Sequence, residues 1–496
     1  MTKKEIRLQY SGYIIFAAKI LSTATGLIFQ LMIARATTRE EYGIWFNIND
    51  VLAYFTLLAT ALPFWTMRFV ARDKEGAAKT GIFANLIISA IATIIYLPLV
   101  PLITSSLGIS QEYLLLYFLV SIQIIELYSI NSLEACLQAR VPHTIGYGLL
   151  ITAVCKVIFG YILIIEFRQP LLGALLSLIV ALSIQISYYF KLLTKELKQQ
   201  VKWEYLKEWL KGSVANIYSV AGNQIAAFIF IMLFTYGGEA ARGNYGAAAQ
   251  IANVITSSSF LAFALYPKLL AEKNSEDITT SLKMVLMFAI PMTAGALALP
   301  DSYLIILRDV FKEAVPVLVV LAIDALIIVI SGLFGSVLLG VERIDEKAKI
   351  SFKELAKSRL FIAFSLPYLH SAITLPITFF VLTTYAQNQP LQAALYVSII
   401  NSSARFAMFL ILYTIVRKMI RIVIPWKNIA KYVFASVVMA STLFLIPHPT
   451  RLLFTLGITA AGAILYLTLL IAIDKEARAL ANYMWQEIKF KIKGEI

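Results

Sequence analysis

The apolar residues of this chain come in blocks of about 20, the length at which a helix crosses a hydrocarbon core of roughly 30 Å. A window of that width places fourteen blocks, near 10–34, 44–66, 80–103, 112–137, 146–166, 170–191, 212–236, 246–267, 282–300, 314–340, 360–383, 392–416, 430–446 and 451–473. Inside lipid every backbone N–H and C=O must be satisfied within its own segment, so such blocks specify helices. The connections are short and leave no room for a separate folded domain. Of the 496 residues 59% are hydrophobic and 15% charged, against about 25% charged in an average soluble protein. A soluble multidomain enzyme and a secreted disulfide scaffold are excluded. The net charge of +14 would suit a nucleic-acid binder, but the basic residues lie between apolar blocks rather than on one solvated surface.

Those basic residues set the expected topology, because cytoplasmic loops collect Lys and Arg. With the N-terminus inside, 33 of the 43 fall on the cytoplasmic side, 7 on the outer side, and 3 (Lys19, Lys156 and Arg405) within spans. One missing or extra span would interchange the sides of every later loop and spoil this asymmetry. An even number of spans is expected, with both ends cytoplasmic, in the cell membrane. The basic flank Met1–Arg7 precedes a span too long for a signal-peptide core and interrupted by Lys19, which reads as an uncleaved first helix. Cys136 and Cys155 lie at different depths, so no disulfide is expected. The stretch 474–496 places Ala477, Leu480, Met484, Trp485, Ile488 and Ile492 at helical spacing among lysines, the pattern of an amphipathic helix on the inner leaflet. The Lys-rich segment 192–211, with Leu197, Trp203, Leu206 and Trp209, is expected to lie on the membrane in the same way.

An internal repeat organises the spans. Tyr42-Gly43 at the start of span 2 recurs as Tyr245-Gly246 at the start of span 8, 203 residues on. The same offset relates LEACLQAR, ending at Arg140, to SVLLGVER, ending at Arg343. The expected architecture is an all-α polytopic membrane protein of 14 transmembrane helices. An N-lobe (1–191) and a C-lobe (212–416) of six helices each are related by a pseudo-two-fold along the membrane normal. The linker 192–211 joins them, and two further spans (417–473) and the cytoplasmic helix (474–496) follow. Parallel repeats of this kind place a substrate site between lobes that rock.

Charges at mid-membrane are costly unless paired or hydrated, which makes them the best pointers to a site. Lys19, Lys156 and Arg405 lie about half-way through spans 1, 5 and 12, and Asp50, Glu126 and Asp324 are their acidic counterparts. Glu126 and Lys156 sit at similar depth on consecutive helices, so an internal ion pair competes with a hydrated cavity there. Polar residues form stripes at helical spacing: Lys19, Thr23, Gly26 and Gln30; Asn47, Asp50 and Tyr54; Asn216, Ser219 and Asn223; Gln250, Asn253 and Ser257; Ser398, Asn401 and Arg405. Interhelical hydrogen bonding would explain any one of them. Their recurrence on spans 1, 2, 7 and 8 favours a water-filled cavity shared by the lobes. Arg68 and Arg72 at the inner end of span 2 and Arg35 at the outer end of span 1 extend its positive character, although interfacial arginines also serve simply to anchor helices. The expected substrate is anionic. No Gly-Lys dipeptide is present, so a phosphate-cradling P-loop is absent, and His143, His370 and His448 make no zinc spacing. Neither a catalytic site, nor a metal, nor a cofactor, nor a nucleic-acid partner is expected.

The fourteen spans and repeat, the run Leu31-Met32-Ile33-Ala34-Arg35 followed by Glu40-Glu41-Tyr42-Gly43, and the basic turn Arg68-Phe69-Val70-Ala71-Arg72 resemble the Wzx-type lipid-linked oligosaccharide flippases. These belong to the multidrug/oligosaccharidyl-lipid/polysaccharide (MOP) exporter superfamily. The resemblance implies a function in polysaccharide biosynthesis: moving a sugar joined through phosphate or pyrophosphate to a polyprenyl or dolichyl chain from the inner to the outer leaflet, with Arg35, Arg68 and Arg72 at the family's basic positions. Alternating access by a monomer through a cationic cavity between the lobes, driven by the membrane potential or by Na⁺ or H⁺ through Asp50, Glu126 or Asp324, is the expected mechanism, with spans 13 and 14 as a groove for the lipid tail. A peptidoglycan-precursor flippase or a cation-coupled multidrug antiporter of the same superfamily are the alternatives. The topology is checked by impermeant-maleimide labelling of intact cells in a Cys136→Ser, Cys155→Ser background. Arg168→Cys is expected to react from outside and Lys195→Cys only after the membrane is opened, and the reverse pattern would overturn the assignment.

Overall fold

The structure, a computed structural model, describes residues 8–262, 275–341 and 359–479. Among these residues the regular elements are helices, and no strand is present. The chain runs α1 (Leu8–Ala36), α2 (Arg39–Phe55), α3 (Pro63–Ala71), α4 (Ala77–Ser106), α5 (Leu114–Arg140), α6 (His143–Gly160) and α7 (Pro170–Leu192). The linker helix α8 (Trp203–Gly212) follows, then α9 (Val214–Gly237), α10 (Glu239–Thr256), α11 (Ser275–Ala298), α12 (Pro300–Leu307), α13 (Val315–Val341), α14 (Arg359–Thr384), α15 (Pro390–Arg417), α16 (Trp426–Leu445) and α17 (Leu452–Ile473). Among the described residues eleven helices are long and apolar enough to cross a membrane, and a bent pair, Arg39–Phe55 with Leu57–Ala71, makes a twelfth if it is one span. The first and eighth expected spans fall on α1, whose apolar part is Leu21–Ala36, and on α10 with its 3-10 extension Ser257–Ala262. Both carry polar stripes, and those residues dilute the hydropathy by which a span is recognised.

Span 2 is broken for local reasons. Thr38 caps α2 reciprocally with Glu41: its hydroxyl accepts from the Glu41 amide at 3.1 Å, and its own amide donates to Glu41 Oε2 at 2.7 Å. At the other end the Thr56 hydroxyl bonds back to the Leu52 carbonyl, a 3-10 turn Leu57–Thr60 follows, and Pro63 opens α3 at a position that needs no amide donor. The two halves meet at 56°. Elsewhere prolines sit inside spans: Pro98 and Pro101 in α4, Pro291 in α11, and Pro367 and Pro376 in α14.

The chain groups into two compact units, Met1–Gly246 with Ile344–Ala404, and Ala247–Arg343 with Arg405–Ile496. In the first, the linker helix α8 packs on α3, the second half of span 2. Trp209 is fully buried, 5.4 Å from Phe69 and stacked on Tyr205 at 6.0 Å. The Lys202 amide donates to Thr80 at 2.8 Å and the Gly76 amide to Gln199 at 2.7 Å. Gly76 has φ +77°, and a Cβ there would lie 2.3 Å from the Gln200 carbonyl oxygen, so glycine is needed twice over. Trp203 and Leu210 remain on the exposed face of the same helix. In the second unit, the Tyr466 hydroxyl donates to the Met287 carbonyl at 2.6 Å, and buried Asp474 accepts from Asn428 at 3.1 Å and faces Lys431 at 3.6 Å. Lys283 holds Glu476 at 2.8 Å. The amphipathic helix expected over 474–496 lies beyond the described residues from 480 onward, as do the flank 1–7 and the repeat anchor Arg343. Cys136 and Cys155 are both free thiols.

The repeat is visible where α2 and α10 touch. A Cβ on Gly43 would fall 1.9 Å from the Glu239 carbonyl oxygen, one on Gly243 would fall 2.2 Å from that of Arg39, and one on Gly246 would enter the Phe46 ring. These reciprocal contacts define a local two-fold whose equivalent positions are 200 apart, not the 203 read from the Tyr-Gly pairs. The two values differ by three residues, close to one helical turn, and a helix surface is nearly self-similar under such a slip. Gly43→Ala is expected to force α2 from α10 and lower stability by about 1–3 kcal/mol, the range for overpacking. Gly457→Ala, where nothing lies within 4 Å, is the control. Thermal unfolding in detergent measures both, and equal midpoints would contradict the close approach.

Candidate functional site

The best-defined charge cluster of the first unit joins α2 to α10. Arg242 makes a two-pronged ion pair with Asp50, Nε to Oδ2 at 2.7 Å and Nη2 to Oδ1 at 2.9 Å. Its guanidinium lies 4.7 Å from the ring centre of Phe46, 5.0 Å from that of Phe230 and 5.9 Å from that of Tyr245. The fork matches a carboxylate and its flat faces accept aromatic rings, which is why an arginine, weakly hydrated for a cation, tolerates this burial. Arg242 falls between the seventh and eighth expected spans, and Asp50 is one of the acids expected to couple an ion. The structure pairs them. The neighbouring stripe residues are also engaged: Asn47 accepts from the Tyr117 hydroxyl at 2.6 Å, the Tyr54 hydroxyl donates to the Gln224 carbonyl at 3.2 Å, and Gln30 accepts from Tyr42 at 3.2 Å.

A second cluster lies among α1, α5, α6 and α7. Glu134 Oε1 accepts from Tyr189 at 3.0 Å and from Gln185 at 3.2 Å, and the Gln185 carbonyl oxygen accepts from Thr152 at 2.5 Å. Half-buried Lys19 has Glu134 as its electrostatic partner. Half-buried Lys156 reaches from α6 toward α1, its Nζ 3.7 Å from where a Gly26 side chain would begin. Gly26 shares a face with Lys19, two turns or about 10 Å along the helix. Lys156 makes no hydrogen bond or ion pair among the described residues, so of the two alternatives left open for it the ion pair with Glu126 is not formed. Glu126 instead accepts from the Ser183 hydroxyl at 2.7 Å. Arg68 lies over Phe64 at 4.3 Å and Trp65 at 5.4 Å, near the α8 junction, while Arg72 and Arg35 are exposed at helix ends. Asn223 is exposed on α9, its amide bonded to the Ser219 carbonyl at 2.9 Å.

In the second unit Arg405 is paired with buried Asp324 on α13. Further along the same two helices Phe334 packs on Tyr413 at 5.4 Å. Asn253 is exposed on α10. Among the described residues no group of His, Cys, Asp and Glu could hold a metal ion.

Arg242 and Glu134 were missed, yet each left a signal. Arg242 stands 203 residues after Arg39, the offset of the Tyr-Gly pairs in the sequence, and three residues before Tyr245 on the same helix. Glu134 stands inside the repeated LEACLQAR stretch.

No family model and no curated protein matches the chain. Solved structures do. It is similar to lipid II flippase MurJ in an inward closed conformation, with a TM-score of 0.65 and 14% identity over 92% of this chain and 98% of that one. An inward-facing multidrug resistance MATE family transporter of the MOP superfamily gives a TM-score of 0.61 and 15% identity over 80% and 95%. A MOP superfamily transporter from Pyrococcus furiosus gives 0.52 and 14% over 84% and 99%. Removing one partner of a buried ion pair costs about 3–5 kcal/mol, so Arg242→Ala is expected to lower the unfolding midpoint strongly and Asp50→Leu combined with Arg242→Met to regain most of it. A single variant as stable as wild type would contradict the pair. The similarities carry the fold, and that fold is the one shared by MATE transporters and MurJ: the chain is a multi-pass helical membrane protein with the architecture of MOP superfamily transporters.

Proposed function

We propose that the chain is a flippase that carries a lipid-linked oligosaccharide, its sugar joined through phosphate or pyrophosphate to a polyprenyl or dolichyl tail, from the inner to the outer leaflet. The observation that carries this reading is Lys156. It is a mid-span cation, half-buried, without an acid among the described residues, and it faces the α1 stripe that also bears Lys19. Such a charge persists in a membrane protein only beside water or an anion. A phosphate-linked headgroup supplies the anion, and the lipid tail need not leave the hydrocarbon. The accessible lone charge is positive, which favours an anionic lipid over the cationic drugs of a multidrug antiporter. MurJ, which shares the fold, is a lipid II flippase, and a peptidoglycan-precursor lipid is the second reading, since its headgroup presents the same pyrophosphate chemistry.

The remaining residues take graded roles. Lys19, shared with Glu134, borders the headgroup site. Arg405, held by Asp324, belongs to the second unit and meets the anion at a different stage of the cycle. Arg68 and Arg72 gather anionic headgroups at the inner surface and Arg35 receives them outside. Two lobes, 1–191 and 212–416, rock in alternating access, the last two spans guide the tail, and both ends stay in the cytoplasm. With the interior negative, outward movement of each negative charge is favoured by about 2.3 kcal/mol per 100 mV. In liposomes loaded with a fluorescent lipid-linked oligosaccharide, wild type is expected to exchange the probe between leaflets. Lys156→Ala is expected to slow it about tenfold or more, the loss of one charge-assisted contact, and Lys19→Ala and Arg405→Ala to slow it less. Unchanged exchange by Lys156→Ala, or transport of cationic drugs alone, would sink this reading.

A further inference from the structure

Of the three acids that the sequence offered for ion coupling, two are held by arginines, Asp50 by Arg242 and Asp324 by Arg405. Glu126 is not. It lies mid-way along α5, about 18 Å from the helix start at 1.5 Å per residue, and only 4% of its surface is exposed. One carboxyl oxygen accepts from Ser183 at 2.7 Å, and the other is buried with no hydrogen-bond partner among the described residues. Among the described residues no titratable group on the helices packed against α5 is bonded to Glu126. Asp50 of α2 is on Arg242, Tyr96 of α4 donates to the Tyr117 carbonyl at 2.6 Å, and Tyr189 of α7 donates to Glu134. Lys156 of α6 faces Gly26, and Arg68 of α3 covers Phe64. Glu134, on α5 itself, stands two turns further along with Lys19 as its partner.

An ionised carboxylate with one hydrogen bond and no cation is untenable at this depth, since burying a lone charge costs far more than a neutral acid does. The missing ligand is a cation, and its kind follows from the donors. A metal cation demands several oxygens, and the site offers two carboxylate oxygens and one hydroxyl. A proton needs only the bare oxygen. We infer that Glu126 is a proton-binding site, neutral in this conformer, with the proton on the unpartnered Oε2 while Oε1 accepts from the Ser183 hydroxyl. Release of the proton leaves a carboxylate, and that step is expected only when the helices rearrange to hydrate the site or bring a cation to it. If the chain is the transporter proposed above, this proton is the coupling ion.

Two measurements separate the site from the transport reading. Infrared difference spectra of the lipid-embedded protein at neutral pH are expected to show a protonated carboxylic acid band that is sensitive to deuterium, disappears in Glu126→Gln and survives in Asp50→Asn. Absence of the band, or its persistence in Glu126→Gln, overturns the proton site whatever the chain transports. In the leaflet-exchange assay an imposed pH gradient is expected to change the wild-type rate, a Na⁺ gradient to leave it alone, and Glu126→Gln to lose the pH response while keeping the response to potential. A pH response intact in Glu126→Gln, or a response to Na⁺ in place of H⁺, overturns the coupling role. A wild type that moves no lipid under any gradient rejects the flippase reading, and the infrared band still decides Glu126.

Discussion

A charge inside a membrane must be neutralised where it stands, and the two units of this protein are organised by how each charge meets that demand. Arg242 closes on Asp50 with two bonds and three aromatic faces. Arg405 closes on Asp324. Lys19 shares Glu134, whose carboxyl is also held by Tyr189 and Gln185. These arrangements hold their helices together, because parting the partners exposes two charges to hydrocarbon at once. What is left over is informative: one half-buried lysine and one fully buried acid, on neighbouring helices and unpaired with each other.

Span 2 shows how the same segment serves two masters. Its first half, α2, is tied to α10 by glycines that let the backbones touch and by the Asp50–Arg242 pair. Its second half, α3, is tied to the linker helix through Phe69, Trp209 and Trp65, the last lying against Gly212. Between them the Thr56 to Pro63 stretch abandons α-helical hydrogen bonding. A broken helix at membrane depth survives only where protein or water satisfies the freed groups, and here Ser213 donates to the Ala61 carbonyl and Asn85 to that of Ala59. The break therefore divides two sets of attachments along a single span.

The helical class and most span positions were legible in the sequence because hydropathy over about 20 residues is a property of one segment at a time. The stripes were legible for the same reason, since helical spacing alone puts Lys19 and Gly26, or Asp50 and Tyr54, on one face. Partners were not. Nothing local says that Asp50 turns to Arg242, 192 residues away, or that Glu126 takes Ser183 rather than Lys156. Those choices depend on helix rotation and tilt, which packing decides. The linker shows the same limit: Trp209, expected at the membrane surface, is buried against Phe69 while Trp203 on the same helix stays exposed, and only packing tells the two apart.

The account stands on the sign of the charge that faces the substrate. The most direct measurement is equilibrium binding, to the purified protein in nanodiscs, of two glycolipids with the same sugar and tail, one joined through phosphate and one through an uncharged ether. Tight binding of the phosphate-linked lipid alone, weakened by salt and by Lys156→Ala, is the predicted result. Equal affinity for both lipids, or binding indifferent to Lys156, would contradict it.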